Sequence, residues 1–91
     1  MTKFTFSRSS DALFTRVGDD IVALHLKRGQ CFGMENVTRD VWDLLSEPTD
    51  LERICDRLTE IYDVEPAACR TEVEKLLAQL VDEGLVDSVS S

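Results

Sequence analysis

The segment that most constrains the fold runs from residue 29 to residue 36 and reads Gly-Gln-Cys-Phe-Gly-Met-Glu-Asn. Before it, β-branched and aromatic residues gather between glycine-containing turns, which is typical of strands. After it, apolar residues recur at the spacing of helices. We therefore predict a short strand, residues 30–34, between a β-rich part and a helical part. With 91 residues, the chain is long enough for one domain with a modest core.

Two short turns divide the β-rich part into three strands. Residues 18–20, Gly-Asp-Asp, separate the β-prone residues 12–17 from the aliphatic run 21–26. The second turn is residues 27–30, in which a glycine suits a positive φ. Consecutive strands joined by short turns form an antiparallel meander, so we expect the strand 30–34 at an edge of the sheet.

Helix caps predict two helices after the sheet. Asn36 is predicted as the N-cap of the first helix, which should end before Pro48 because proline disfavours helix at the residue preceding it. Thr49 is predicted as the N-cap of the second helix. Glu52 would then complete a capping box by reaching back to it.

A third helix and the two chain ends complete the pattern. Pro66 suits the first turn of this helix, and Gly84 is placed as its C-terminal stop. Residues 1–10 have no clear period, so an edge strand and loose surface packing are both compatible with them. Residues 88–91 are predicted to be a frayed tail.

These elements predict an α+β fold in which a three-stranded antiparallel sheet is followed by three helices packed on one side. The arrangement is similar to that of winged-helix domains. We find no internal repeat and no linker, so we expect a single domain over residues 1–91 with its core in about 12–86.

The net charge of −8 argues against a nucleic-acid partner, because phosphate binding depends on Lys and Arg side chains. It is compatible with a basic peptide partner, although most acidic surfaces serve solubility. No run of about 18 apolar residues could span a membrane, and residues 1–8 lack the apolar core of a signal peptide. We therefore expect a cytoplasmic protein without a membrane or nucleic-acid partner.

The residue types that carry catalysis, metals or cofactors do not cluster in this chain. The four glycines are scattered, so no phosphate-binding loop is present. His25 is the only histidine and lies in a predicted strand. Cys31, Cys55 and Cys69 form no C-x-x-C pair, so we expect no disulfide and no metal site and predict that they are buried as apolar residues. We predict a binding module with no catalytic residue and no cofactor.

The order and spacing of several segments resemble the PqqD-like family over roughly residues 12–86. The segments are residues 20–26, Arg28-Gly29, residues 31–36, Val41-Trp42, Leu44-Leu45, Thr49, Leu51-Glu52, Ile54, Leu58, residues 62–64, Val73, Leu76-Leu77, Leu80 and residues 84–86. The family contains peptide chaperones, also called RiPP recognition elements. The resemblance implies that the chain binds the leader of a ribosomally synthesised precursor peptide and presents it to a modifying enzyme or a leader peptidase.

The resemblance further implies that the leader adds as a strand to the third strand of the sheet and lies against the third helix. Glu35 stands between Met34 and Asn36, and the turn 27–29 has no proline, which departs from the members that serve pyrroloquinoline quinone synthesis. This departure favours the standalone members of lasso peptide biosynthesis. A chaperone for pyrroloquinoline quinone, or for another radical SAM-modified peptide, is the alternative.

The predicted peptide-binding site joins the strand 30–34 to one face of the third helix. The strand has no proline and no charge, so nothing blocks backbone pairing at its edge. On the helix 66–83, four residues at i, i+4, i+7 and i+11 form one stripe, with a lysine beside it. The predicted site residues are Gln30, Cys31, Phe32, Gly33, Met34, Glu72, Lys75, Leu76, Gln79 and Glu83.

Three alternatives to this site remain open from the sequence. The stripe on the third helix could be an ordinary solvated face. The open strand could pair with a second copy of the chain. A winged-helix nucleic-acid binder is disfavoured, because the helix 66–83 carries four carboxylates against one arginine and one lysine.

Overall fold

The structure is a computed structural model and describes residues 4–90. The elements in chain order are β1 (Phe4–Arg8), β2 (Ala12–Val17), β3 (Asp20–His25), β4 (Cys31–Met34), α1 (Asn36–Leu44), α2 (Leu51–Ile61), α3 (Pro66–Asp82) and β5 (Val86–Ser90). Strands β2, β3 and β4 form an antiparallel meander with β4 at one edge, and β1 pairs with β5 in a separate ribbon. The predicted α+β class, with its three-stranded sheet and three helices, is confirmed.

The β1–β5 ribbon is the largest departure from the predicted architecture. Phe4 lies opposite Ser90 and Arg8 lies opposite Val86, so the frayed tail predicted for residues 88–91 is wrong for residues 88–90. Phe6 also exchanges two backbone hydrogen bonds with Thr49, at 2.7 and 2.9 Å. The ribbon pairs segments near opposite ends of the chain, and a local sequence pattern does not show which distant segments pair. The predictions for residues 1–10 and 88–91 also concern residues 1–3 and 91, which lie outside the described residues.

The core lies between the inner face of the meander and the three helices. Ile21 and Ala23 are fully buried, whereas Val22 between them is 36% exposed, as expected for a strand with one covered face. Trp42 of α1 is also fully buried, and its ring meets Phe14 of β2 edge-on with the centroids 5.5 Å apart. An aromatic anchor of this size fixes α1 against the sheet.

Two of the predicted N-caps are wrong by one residue. Asn36 is the first residue of α1 with a φ of +52°, and Glu35 occupies the cap position without a side-chain hydrogen bond. At α2 the cap is Asp50, whose Oδ1 accepts a hydrogen bond from the Arg53 N–H at 2.9 Å. The Thr49 backbone is instead held in the bridge to β1, which moves the start of α2 one residue along the chain.

The predicted signals at both ends of α3 are confirmed. Pro66 is in the first turn. Gly84 has a φ of +78° and donates a hydrogen bond to the Val81 carbonyl, while the Leu85 N–H donates to the Leu80 carbonyl. This pair of bonds is a Schellman motif, which satisfies carbonyls at the helix end and turns the chain into β5.

The three thiols differ in their surroundings. Cys69 is buried and Cys55 is partly buried, but Cys31 is exposed, so the prediction that all three are buried is wrong for Cys31. Burial raises the pKa of the Cys55 thiol to about 11, and the adjacent Cys69 adds to this shift. Cys55 is therefore protonated at neutral pH and is a poor nucleophile.

Candidate functional site

A groove of about 320 Å³ lies between the edge strand β4 and the helix α3. Residues 31–34 form one wall. Thr38 of α1, together with Leu76, Gln79, Leu80 and Glu83 of α3, forms the other. The groove therefore runs along the free edge of the meander, with a helix facing the strand.

The ladder with β3 determines how β4 faces this groove. Phe32 and Met34 lie opposite the buried residues Ala23 and Ile21, so their side chains point toward the helices. The His25 N–H donates to the Gln30 carbonyl at 2.9 Å. Because hydrogen-bonded and non-hydrogen-bonded pairs alternate along an antiparallel ladder, the backbone groups of residues 31 and 33 point away from β3.

The open edge of β4 therefore offers backbone groups from two residues, Cys31 and Gly33. Both residues are exposed, and among the described strands β4 has only β3 as a neighbour. A Cβ added at Gly33 would meet no heavy atom within 4 Å. An approaching strand would find both the backbone groups and the space beside them accessible.

The side chain of His25 is buried between the β3–β4 turn and the C-terminal end of α3. His25 is 5% exposed, and its Nδ1 accepts hydrogen bonds from the backbone N–H groups of Lys27 at 3.2 Å and Arg28 at 3.1 Å. Accepting at Nδ1 places the proton of the neutral imidazole on Nε2. A Cβ at Gly84 would lie 2.7 Å from this Nε2, so any other residue there would require the imidazole or the backbone to shift.

Arg28 makes a second link between the β3–β4 turn and α3. Its Nη1 donates to the Asp82 carbonyl at 3.0 Å, near the C-terminal end of the helix. A cation is favourable at a helix C-terminus because the last carbonyls are partly negative. This bond and the close approach of His25 to Gly84 both join the β3–β4 turn to the C-terminal end of α3.

Seven of the ten predicted site residues line the groove. They are Cys31, Phe32, Gly33, Met34, Leu76, Gln79 and Glu83. Gln30 lies at the end of the turn before β4, where its carbonyl accepts from His25. Glu72 and Lys75 face solvent and pair with each other at 3.8 Å, so the structure places them outside the groove.

Two lining residues, Thr38 and Leu80, are not among the predicted site residues. Leu80 is 3% exposed and belongs to the core stripe of α3, and its contribution to the groove cannot be separated from that stripe by spacing. Thr38 lies in the first turn of α1, four residues after Met34. Its position in the first turn of the helix that follows the edge strand is the signal that could have identified it.

Among the described residues, few of the side chains that line the groove are ionisable or nucleophilic. Glu83 is its one ionisable carboxylate, and Cys31 is its one thiol. No histidine lines it as a general base. Within residues 4–90, no group of three or more His, Cys, Asp or Glu side chains is placed to hold a metal ion. None of the helices described in this range is both long and apolar enough to cross a membrane.

Two solved structures are similar to this chain over almost its whole length. One is TbiB1 in complex with the TbiA(beta) leader peptide, at 27% identity and a TM-score of 0.84, covering 89% of this chain and 94% of that one. The other is a lasso peptide synthetase B1 complexed with the leader peptide, at 16% identity and a TM-score of 0.81, covering 90% and 96%. At 16% identity, this second likeness concerns the fold alone. No curated protein sequence matches the chain.

A family profile gives the assignment that these structures suggest. The profile of coenzyme PQQ synthesis protein D matches residues 20–86. This range begins with β3 and ends at the first residue of β5, so it contains β4, α3 and thus both walls of the groove. The chain therefore belongs to the PqqD family.

Proposed function

We propose that the chain binds the leader segment of a ribosomally synthesised precursor peptide, in lasso peptide biosynthesis, and presents it to a modifying enzyme or a leader peptidase. The similarity to TbiB1, which was solved with a leader peptide, supports this function. The observation that carries the proposal is the uncharged, open edge of β4 beside the groove that this strand forms with α3.

The leader adds as a strand to β4. Cys31 and Gly33 supply the outward N–H and C=O groups, as β-strand addition requires. Each backbone hydrogen bond contributes about 0.5–1.5 kcal/mol net, so this ladder gives affinity without reading the leader sequence.

Side chains on the groove wall supply the selectivity. Alternate residues of an added strand point into the groove, toward Leu76 and Phe32, while the others point to the opposite face of the sheet. An apolar leader side chain packs on Leu76, which is partly buried and leaves some apolar surface uncovered. Glu83 favours a basic residue at the end of the leader strand near the C-terminus of α3.

Three further predicted residues extend the proposed site beyond the groove. Gln30 directly precedes β4 and can contact a leader that continues past Cys31. Glu72 lies one helical turn before Leu76, and Lys75 pairs with it. They can meet leader residues that leave the groove, and exposed contacts of this kind contribute little energy.

Titration of a leader peptide into isotope-labelled protein tests this function. The peptide is the leader of a precursor encoded beside this chain's gene, with a scrambled version as the control. We expect backbone amide shifts at residues 31–34 and along Leu76, Gln79 and Glu83, and no shift with the scrambled peptide. Shifts confined to α2 would contradict the groove assignment.

A chaperone for pyrroloquinoline quinone or another radical SAM-modified peptide is the second candidate, because the matched profile is that of coenzyme PQQ synthesis protein D. The two candidates use the same groove and differ in the leader. Parallel titrations with a lasso precursor leader and a quinone precursor leader separate them, since only the cognate leader should bind in the micromolar range or tighter.

A second copy of the chain could occupy the same edge. Sedimentation at two protein concentrations measures this directly. A stable dimer that dissociates when the leader is added would show that self-pairing and leader binding compete for β4.

A further inference from the structure

A second groove lies beside α3, and its volume of about 1040 Å³ is larger than the 320 Å³ of the candidate site. The start of α2 and the β1–β5 ribbon form its other walls. Its apolar surface comes from three separate elements: Phe4 and Phe6 of β1, Leu51 of α2, and Leu77 and Val81 of α3.

The aromatic part of this surface is open to solvent. Phe4 is 49% exposed, and its ring centroid lies 6.5 Å from that of Phe6. Solvent-exposed apolar surface that is concave and has a polar rim is typical of a place where another molecule binds.

The rim of this groove is acidic. Glu52 of α2 and Glu74 and Asp82 of α3 line it. Among the described residues, Arg70 is the one basic residue of the lining, and its Nε lies 3.3 Å from Glu74 Oε1, so these two charges partly compensate each other. The remaining negative potential selects for a partner with positive charges around an apolar surface.

The two grooves lie on different flanks of α3. The groove between β4 and α3 is lined by residues 76, 79 and 83 of this helix, whereas the second groove is lined by residues 70, 74, 78 and 81. At 3.6 residues per turn these two sets face roughly opposite directions, with the buried stripe of the helix between them. Ligands in the two grooves would not collide.

From this combination we infer that the second groove binds a basic amphipathic helix of a protein partner. An amphipathic helix binds by laying its apolar face on apolar side chains, and the three walls of this groove supply such side chains over a volume of about 1040 Å³. Aliphatic residues of the partner pack on Phe6, Leu51 and Val81, and flanking Lys or Arg residues face Glu52 and Asp82. The inference rests on the proposed function in one respect: the partner is then the enzyme that acts on the bound leader.

A designed peptide tests the groove without knowledge of the natural partner. The probe is a synthetic helix of about 14 residues, roughly four turns, built from Leu and Lys at amphipathic spacing. A peptide with Glu in place of every Lys is its control. We expect the Lys peptide to shift the amide signals of Leu51, Ala78 and Val81, and the Glu peptide to shift none.

Two substitutions on α3 give a matched pair. Ala78→Arg places a long cation in the second groove and should weaken binding of the Lys peptide by at least about tenfold. Ala68→Arg makes the same change at an exposed position of α3 that does not line either groove and, at 3.6 residues per turn, faces away from the second groove, so it should change binding of the Lys peptide by no more than about twofold. Both sites are exposed, so both variants should fold.

Several outcomes would overturn the inference: equal binding by both variants, equal binding of both peptides, or shifts centred on residues 31–34. Leader binding is measured on the same samples and should be unchanged by Ala78→Arg. If the unsubstituted protein binds the Lys peptide in the second groove but no leader, the proposed function fails while the helix site stands.

Discussion

The two edges of the meander share a sheet but differ in what covers them. At the β2 edge, the Arg16 guanidinium pairs with Asp43 at 2.5 Å. The Arg8 guanidinium lies over the Phe14 ring, 4.5 Å from its centroid. At the β4 edge, residues 31–34 carry no charge, and a groove opens beside them.

This difference is the reason that we propose strand addition at β4 and not at β2. An exposed edge is a template for any extended peptide, and proteins block it with charges or covering groups. Arg16 places a charge on β2, and the Arg8 guanidinium packs on the Phe14 ring of the same strand. The edge of β4 lacks such blocks and combines free backbone groups with a side-chain groove, so it can give affinity and selectivity together.

Removing the Arg8 guanidinium, which packs on Phe14 of β2, should have the largest effect on stability. In Arg8→Met, the protein loses two hydrogen bonds to the Trp42 carbonyl, at 3.1 and 2.7 Å, and the cation–π contacts with Phe14 and Trp42. We expect urea unfolding to show a loss of about 2–4 kcal/mol.

Arg16→Met is the matched control for that variant. Its side chain is 54% exposed, so despite its shorter ion pair with Asp43 the loss should be about 0–1 kcal/mol. Leader affinity should be unchanged in both variants. Equal destabilisation by the two would mean that covering by Arg8 is not what distinguishes the β2 edge.

Disturbing the close contact between Gly84 and His25 should have the second-largest effect on stability. In Gly84→Ala, the alanine must adopt a φ of +78°, and its Cβ lies 2.7 Å from His25 Nε2. We expect a loss of about 2–3 kcal/mol in the free energy of unfolding, of which the left-handed backbone accounts for about 1–2 kcal/mol.

Gly18→Ala separates the two causes of that loss. Gly18, in the β2–β3 turn, has a similar φ of +64°, but a Cβ there meets nothing within 4 Å. Gly18→Ala should therefore lose only the stability that the left-handed backbone costs, and its leader affinity should be unchanged. Gly84→Ala should also bind the leader more weakly. Identical losses in both variants would show that the His25 contact is unimportant.

The meander and the helices could be predicted because their signals are local. Strand 12–17 is found with the predicted bounds, and the strands predicted at 21–26 and 30–34 differ from β3 and β4 by one residue at their ends. Turn glycines and helix periodicity act over a few residues, so a single sequence shows them. The β1–β5 ribbon joins distant segments, and for that reason the pattern does not reveal it.

The site could be predicted in part, for a similar reason. The stripe on α3 and the uncharged strand are visible in the sequence, and most of their residues line one groove. The spacing does not show where the stripe ends, so it also predicts Glu72 and Lys75, which pair with each other in solvent. Which atoms of β4 face the open edge depends on the ladder with β3, which only the structure shows.

Proline at the open edge should weaken leader binding while sparing the fold. Gly33→Pro removes an N–H that points away from β3, so the meander keeps its hydrogen bonds. Loss of this donor should cost about 1–3 kcal/mol of binding free energy, roughly fivefold to a hundredfold in Kd by isothermal titration.

Gly33→Ala controls for the side chain that proline adds. Its Cβ meets no atom within 4 Å in the protein, and it keeps the N–H, so leader affinity should stay within about threefold. If the proline variant bound the leader as tightly as the alanine variant, pairing at β4 would not be the mode of binding.

The smallest effect should come from the charge at the end of the groove. Glu83→Gln keeps the size of the side chain and removes the one carboxylate that lines the groove, so affinity for a leader with a basic residue should fall by about twofold to fivefold at low salt. The free energy of unfolding should not fall, because a carboxylate at a helix C-terminus is unfavourable. Glu72→Gln, one turn outside the groove and paired with Lys75, should lower affinity less. Equal losses in the two variants, both removed by salt, would assign the effect to the general negative potential of α3 instead of to a contact made by Glu83.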